Sequence, residues 1–143
     1  TVRAVAGHGR PGYGPPPMAR APDIQQVARR DGRYHVEAYQ FVRQALRQTA
    51  KTAKRTGDAD RHLNAGELLD GVLDLAAERF GLLGALVLRG WGVRRSEDVG
   101  AVTFAMIDAG IFTKQPGDRV EDFAVGPDFA DDVARRVRAR LLG

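Results

Sequence analysis

The sequence predicts a mainly α protein: a helical domain with a winged-helix-like unit of three helices and a β-hairpin, flanked by a long N-terminal and a C-terminal helix. Three observations carry that expectation. Apolar residues recur at three- and four-residue steps in successive stretches between residues 34 and 142. Those stretches are punctuated by capping residues and glycines: Asn64 with Glu67, Ser96, Gly57, Gly81 and Gly110. A single stretch, Ile111 to Val125, reads instead as two short strands around "QPGD".

Residues 1–22 come first. They are rich in glycine and proline and show no periodicity, so they are expected to stay a disordered basic tail. Met18 is a natural start on composition, with 1–17 as an extension that is not native. Residues 23–143 then form one domain. Asp23 caps a short helix to Arg30. A long amphipathic helix spans 34–56, with Val36, Tyr39, Val42, Leu46 and Ala50 on one face, widened by Phe41 and Ala45, and Gly57 at its end.

The next helix, 65–80, opens on an Asn64/Glu67 capping box and buries Leu68, Leu69, Val72, Leu75, Ala76 and Phe80. Residues 82–89 are apolar nearly all round and are expected to be central. Trp91, between Gly90 and Gly92, is expected as a core plug in preference to a partner anchor. Ser96 caps helix 97–109, whose Val99, Val102, Met106 and either Ile107 or Phe104 face the core. The proposed hairpin, Ile111–Lys114 with Val120–Val125, follows. Helix 128–142 closes the chain, marked by Phe129, Val133, Val137 and Leu141, with acids first and arginines later, as the helix dipole favours.

The totals exclude much chemistry. There is no cysteine, so disulfides, thiolate metal sites and cysteine nucleophiles are absent. Ser96 is the only serine and is better read as a cap than as a nucleophile. None of His8, His35 and His62 has a ligand residue three or four positions further on, and Asp58 and Asp60 near His62 lack the order of a calcium loop. No catalytic, cofactor-binding or metal-ligating residue is expected, and no cofactor. Neither a membrane span nor a secretory leader is visible, which predicts a cytoplasmic protein.

The net charge of +4 sits wholly in residues 1–34, which hold six arginines and two aspartates; the remaining 16 basic and 16 acidic side chains cancel. Arginine outnumbers lysine 19 to 3, so compositional bias accounts for much of this. One pattern stands apart from it. Arg43, Arg47, Lys51 and Arg55 step along the long helix by fours, with Lys54 beside them, and no acid lies between Glu37 and Asp58. Such a stripe suits phosphates.

The order of helix 97–109 and hairpin suggests a recognition helix with a wing. The chemistry opposes it: that helix has no Arg, Lys, Asn or Gln and opens on Glu97 and Asp98. Sequence-specific DNA binding is therefore not expected. The first expectation is a non-enzymatic interaction module binding another protein or itself, with helix 82–89, the hairpin edge, Trp91, Arg94, Arg95 and Lys114 as candidate contacts. The alternative is a nucleic-acid or ribosome-associated protein using Arg43, Arg47, Lys51, Lys54, Arg55 and the basic arm.

The segments "RDGRYHVEAYQFVRQAL" (30–46), "HLNAGELLDGV" (62–72), "WGVRRSEDVGAVTFAMIDAGIFTK" (91–114) and "RVEDFAVGPDF" (119–129) resemble a family of uncharacterised bacterial proteins found mainly in planctomycetes and verrucomicrobia. The likeness covers about 24–130 and is most specific over 91–98. It implies a bacterial, cytoplasmic, single-domain protein whose family begins close to Met18. It brings no activity, cofactor or site residue.

Overall fold

The computed structural model describes residues 1–4, 23–53 and 62–143. Within them the protein is mainly α. The order is β1 (Val2–Ala4), α1 (Ile24–Asp31), α2 (Val36–Ala53), α3 (Ala65–Phe80), a 3-10 turn (Gly81–Leu83), α4 (Gly84–Gly90), α5 (Ser96–Asp108), β2 (Phe112–Lys114), a second 3-10 turn (Val120–Phe123) and α6 (Phe129–Leu142). Met18, His8, Gly57, Asp58 and Asp60, and the stripe's Lys54 and Arg55, lie outside the described residues.

Local signals set the helix starts. Asp23 accepts the Gln26 N–H while the Gln26 side chain returns to the Asp23 N–H. Asn64 and Glu67 form the same reciprocal pair before α3. Asp128 accepts the Asp131 N–H at the start of α6. The expected cap at Ser96 differs: Arg95 holds the cap position, and the Asp98 carboxylate reaches back to the N–H groups of Arg94 and Arg95. Ser96 is instead the first helical residue and is buried.

The core forms where α2, α3 and α5 meet, with α1 laid on α2 and α6 on α3. Tyr39, Val42 and Leu46 from α2 are buried with Leu68, Val72 and Leu73 from α3 and Val99, Val102 and Met106 from α5. Phe104 and Ile107 are both half-buried against it. Trp91 is half-buried, its ring 5.4 Å from Phe41 and 5.9 Å from Phe80. It therefore packs against the core with part of its surface still open. The turn behind it requires Gly92, whose φ of 95° is left-handed and whose face lies against Tyr34.

Three expectations fail. First, no hairpin forms at 111–125. β2 pairs instead with β1, antiparallel, with Val2 opposite Lys114 and Ala4 opposite Phe112. The segment 120–123 coils into a 3-10 turn, because Asp122 accepts the Arg119 N–H and only Phe123 is buried. The wing of the winged-helix expectation is thus absent, although α3, α4 and α5 stand in the expected order.

Second, residues 1–4 are not part of a disordered tail. Val2 is 3% exposed and exchanges backbone hydrogen bonds with Leu63 at 2.6 and 2.8 Å. A β-branched residue with two flanking edges to pair with is enough to order a short strand. Averaging it with the Gly/Pro-rich residues that follow hides this.

Third, the segment 82–89 is peripheral. Gly84 and Leu88 are its buried residues, while Leu82, Leu83 and Leu86 are 69%, 61% and 64% exposed. Leu141, expected to face the core from α6, is 80% exposed.

The second 3-10 turn docks where α5 is thinnest. A Cβ at Gly100 would come 2.7 Å from the Phe123 Cβ and 2.9 Å from its Cγ. Gly100→Val is expected to cost about 2–3 kcal/mol through overpacking, read as a lower midpoint in urea unfolding. An unchanged midpoint would mean that the turn does not pack there.

Candidate functional site

Two surfaces carry chemistry that the fold does not consume. The first is the outer face of α2. Arg43 and Arg47 line an open groove of about 550 Å³ with Gln40, Gln44, Asp23, Ile24 and Gln25, so the start of α1 forms its other wall. Four-residue steps rise about 6 Å and drift about 40°, which keeps Arg43, Arg47 and Lys51 in one row. Among the described residues none of the three has a carboxylate within ion-pair distance. The Arg43 Nε is buried and makes no hydrogen bond. Burial, and then repulsion from Arg47, hold the Arg43 guanidinium below its ordinary pKa.

Among the described residues, the acids of the neighbouring helix α3 are engaged elsewhere. Asp70, Asp74 and Glu78 form a matching acidic row on α3. Arg136 of α6 bonds to Asp70 and lies 3.7 Å from Asp74. Arg140 reaches Asp74 at 2.9 Å, and Gln48 donates to Glu78 at 3.5 Å. Asp23 lines the groove but caps its own helix.

The second surface is the apolar knuckle Leu82, Leu83 and Leu86. Gly84 between them sits against Ala76 of α3 and Val133 of α6, which turns the three leucines outward. On α6, the exposed Leu141 follows Val133 and Val137 at four-residue steps. Arg79 and Arg89 are exposed beside the knuckle in the chain, and Arg79 lies over the Phe41 ring at 5.8 Å.

The candidate contacts expected around the α5 start fare unevenly. Trp91 is half-buried, with Phe41 and Phe80 against its ring. Arg94 and Arg95 are exposed, and Arg95 lies 3.9 Å from Glu97. Asp98 is turned inward, bonded to Tyr34 Oη at 2.8 Å and to two backbone N–H groups. The α5 end therefore presents one carboxylate, Glu97, where the sequence suggests two. Lys114 is exposed on β2, in a different element from the other three. The structure does not assemble these four residues into one hairpin-edge site.

A pair of tyrosines invites a catalytic reading, which their environment opposes. Tyr39 donates to Asp31, which also accepts from Arg33 at 2.8 Å. Burial and then the hydrogen bond to Asp98 push Tyr34 up to about 12; burial and then Asp31 raise Tyr39 as well. Both phenols are thus held protonated, as donors that tie α1, α2 and α5 together. Neither is primed as a base or nucleophile. No group of three or more potential metal ligands occurs among the described residues. No helix among them is long and apolar enough to cross a membrane.

The cationic row is visible in the sequence, but the part taken by Gln25, Gln40 and Gln44 is not. The glutamines carry a signal, since Gln40, Gln44 and Gln48 also step by fours. The exposed leucines carry none. A mainly α domain that, among the described residues, shows an apolar surface and a cationic surface without ion-pair partners is the class that fold and site define. Comparison with protein-family models, with curated proteins and with solved structures gave no match.

Proposed function

We propose that this is a non-enzymatic cytoplasmic interaction module whose Leu82–Leu83–Leu86 knuckle docks an apolar segment of another protein. The observation that carries this reading is the exposure of three leucines on adjacent turns, since isolated exposed leucines are ordinary but a cluster is not. Charge selects the kind of partner. The knuckle is flanked in sequence by Arg79 and Arg89, with Glu78 beside Arg79, so its rim is net positive and a two-fold self-contact would bring that excess against itself. A partner with acids around its apolar face avoids that repulsion and gains from it.

Burying each leucine is worth about 1–2 kcal/mol. Three of them do not by themselves exceed the cost of association, so a transient complex, strengthened by the charged rim, is expected.

The test places a photo-crosslinking residue at Leu83, or at Gln44 as control, in cells of the native host. The expected product is a discrete adduct from position 83 alone, lost on Leu82→Ser with Leu86→Ser, whose crosslinked peptide is apolar and flanked by Asp or Glu. Both serine substitutions are at exposed positions and should leave the unfolding midpoint within about 0.5 kcal/mol. Adducts of twice the chain's own mass would replace the proposal with self-association. Equal products from positions 83 and 44 would remove it.

A further inference from the structure

We infer that the groove between α1 and α2 binds a phosphate group, with Arg43 and Arg47 as its cationic ligands and Gln40 and Gln44 as its amide donors. This does not depend on the leucine knuckle, which belongs to different elements.

The inference begins from a defect. A guanidinium is stable in a partly desolvated place when a carboxylate or a set of acceptors faces it. Among the described residues Arg43 has neither: its Nε is buried without a hydrogen bond, and its neighbour one turn on is another arginine. Nothing in the described fold rewards this arrangement. The carboxylates of α3 are bound to Arg136, Arg140 and Gln48, and Asp23 is occupied in its cap.

A tetrahedral oxyanion supplies what is missing. It can accept from two guanidinium forks at once, neutralise their mutual repulsion and take further hydrogen bonds from the amides of Gln40 and Gln44. The groove of about 550 Å³ has room for more than the anion itself. Asp23 at the opposite wall suits a ligand carrying hydroxyl or amino donors beyond its phosphate. Lys51 extends the row by a further turn, as a phosphate on a strand would use and a free phosphate would not.

The test measures thermal unfolding of the full chain with inorganic phosphate, and fluorescence anisotropy with a labelled single-stranded RNA of about ten nucleotides. Phosphate at about ten times its Kd is expected to raise Tm by about 3–5 °C. Arg47→Gln should weaken either ligand at least about tenfold, the loss expected for one charge-assisted contact. Lys51→Gln should weaken RNA alone. If the strand is the source, RNA binds at least about a hundredfold more tightly than phosphate, and log Kd rises with log salt at about 0.7 per phosphate. Comparable affinities would assign the site to free phosphate.

Arg43→Met separates a ligand-binding role from a structural one. It removes an unpaired charge and keeps the apolar stem, so it should raise the Tm of the ligand-free chain and abolish the rise with phosphate. Leu82→Ser with Leu86→Ser should bind both probes unchanged. Binding by neither probe, binding insensitive to Arg47→Gln, or a lower ligand-free Tm for Arg43→Met would each overturn the inference.

Discussion

Trp91→Ala is expected to lower the stability of the protein by about 3–4 kcal/mol, near the upper end for truncating an aromatic side chain. The indole joins three elements. Its ring meets Phe41 of α2 and Phe80 of α3, two contacts worth about 0.5–1.5 kcal/mol each beyond the area they bury. The main-chain carbonyl of the same residue accepts the His35 N–H at 3.1 Å, a bond that the alanine variant keeps, so the loss reports the ring alone. Truncation leaves a gap that these rings, each held by its own helix, cannot close. A fall in Tm of about 10–15 °C should follow, and Trp91→Phe should lose only about a third as much. Chemical unfolding followed by far-UV circular dichroism measures both, since fluorescence disappears with the single tryptophan. A loss under about 1 kcal/mol for the alanine variant, the size typical of a surface change, would return Trp91 to the status of a surface anchor.

Arg136→Met is expected to cost about 2–3 kcal/mol, by a different route. Asp132 is 9% exposed and accepts from Arg136 at 2.6 Å and from Arg135 at 2.6 Å. Arg136 also joins Asp70 of α3, so one guanidinium fastens α6 to the core. Burial opposes its charge, but hydrogen bonds to Asp132 and Asp70 outweigh burial and raise its pKa. Removing it leaves the Asp132 carboxylate with Arg135 alone. The double variant Asp132→Leu with Arg136→Met should recover most of the loss, because it removes both buried charges together. A double variant as unstable as the single would mean that geometry, not charge, sets the cost.

The same network sets an acid limit. Burial disfavours the Asp132 carboxylate, yet the hydrogen bonds from Arg136 and Arg135 prevail and hold its pKa below the ordinary value of about 3.9. A carboxyl depressed in the folded state binds fewer protons there than in the unfolded chain. Its contribution is therefore complete above about pH 4 and is lost as pH falls through the lower, folded value. The difference in Tm between the parent and Asp132→Asn should be flat from about pH 7 to about pH 5 and shrink below about pH 4. A difference that grows on acidification would reverse the sign assigned to this group.

Much of the helical frame is legible without coordinates. The Asp23 and Asn64 caps act over three residues, and the apolar faces of α2 and α3 follow from helix geometry alone. The cationic row is legible for the same reason, since steps of four always align. The groove is not, because its second wall is α1, and the glutamines matter only once that wall is beside them. The leucine knuckle escapes for a related cause. A run that is apolar on every side carries no direction, so only packing decides which side is covered.

The sequence by itself determined where most of the helices begin, which faces of the long ones turn inward, and that no cysteine is present. These are effects of short range, written in hydrogen bonds between near neighbours and in the helical period. Tertiary structure alone decided that Val2 pairs across the chain with Leu63 and β2, that Leu82, Leu83 and Leu86 face outward, and that α6 takes acids of α3, so that among the described residues Arg43 and Arg47 of α2 face no carboxylate. Each is a competition between distant segments for one partner, and its outcome depends on which contacts the whole fold brings within reach.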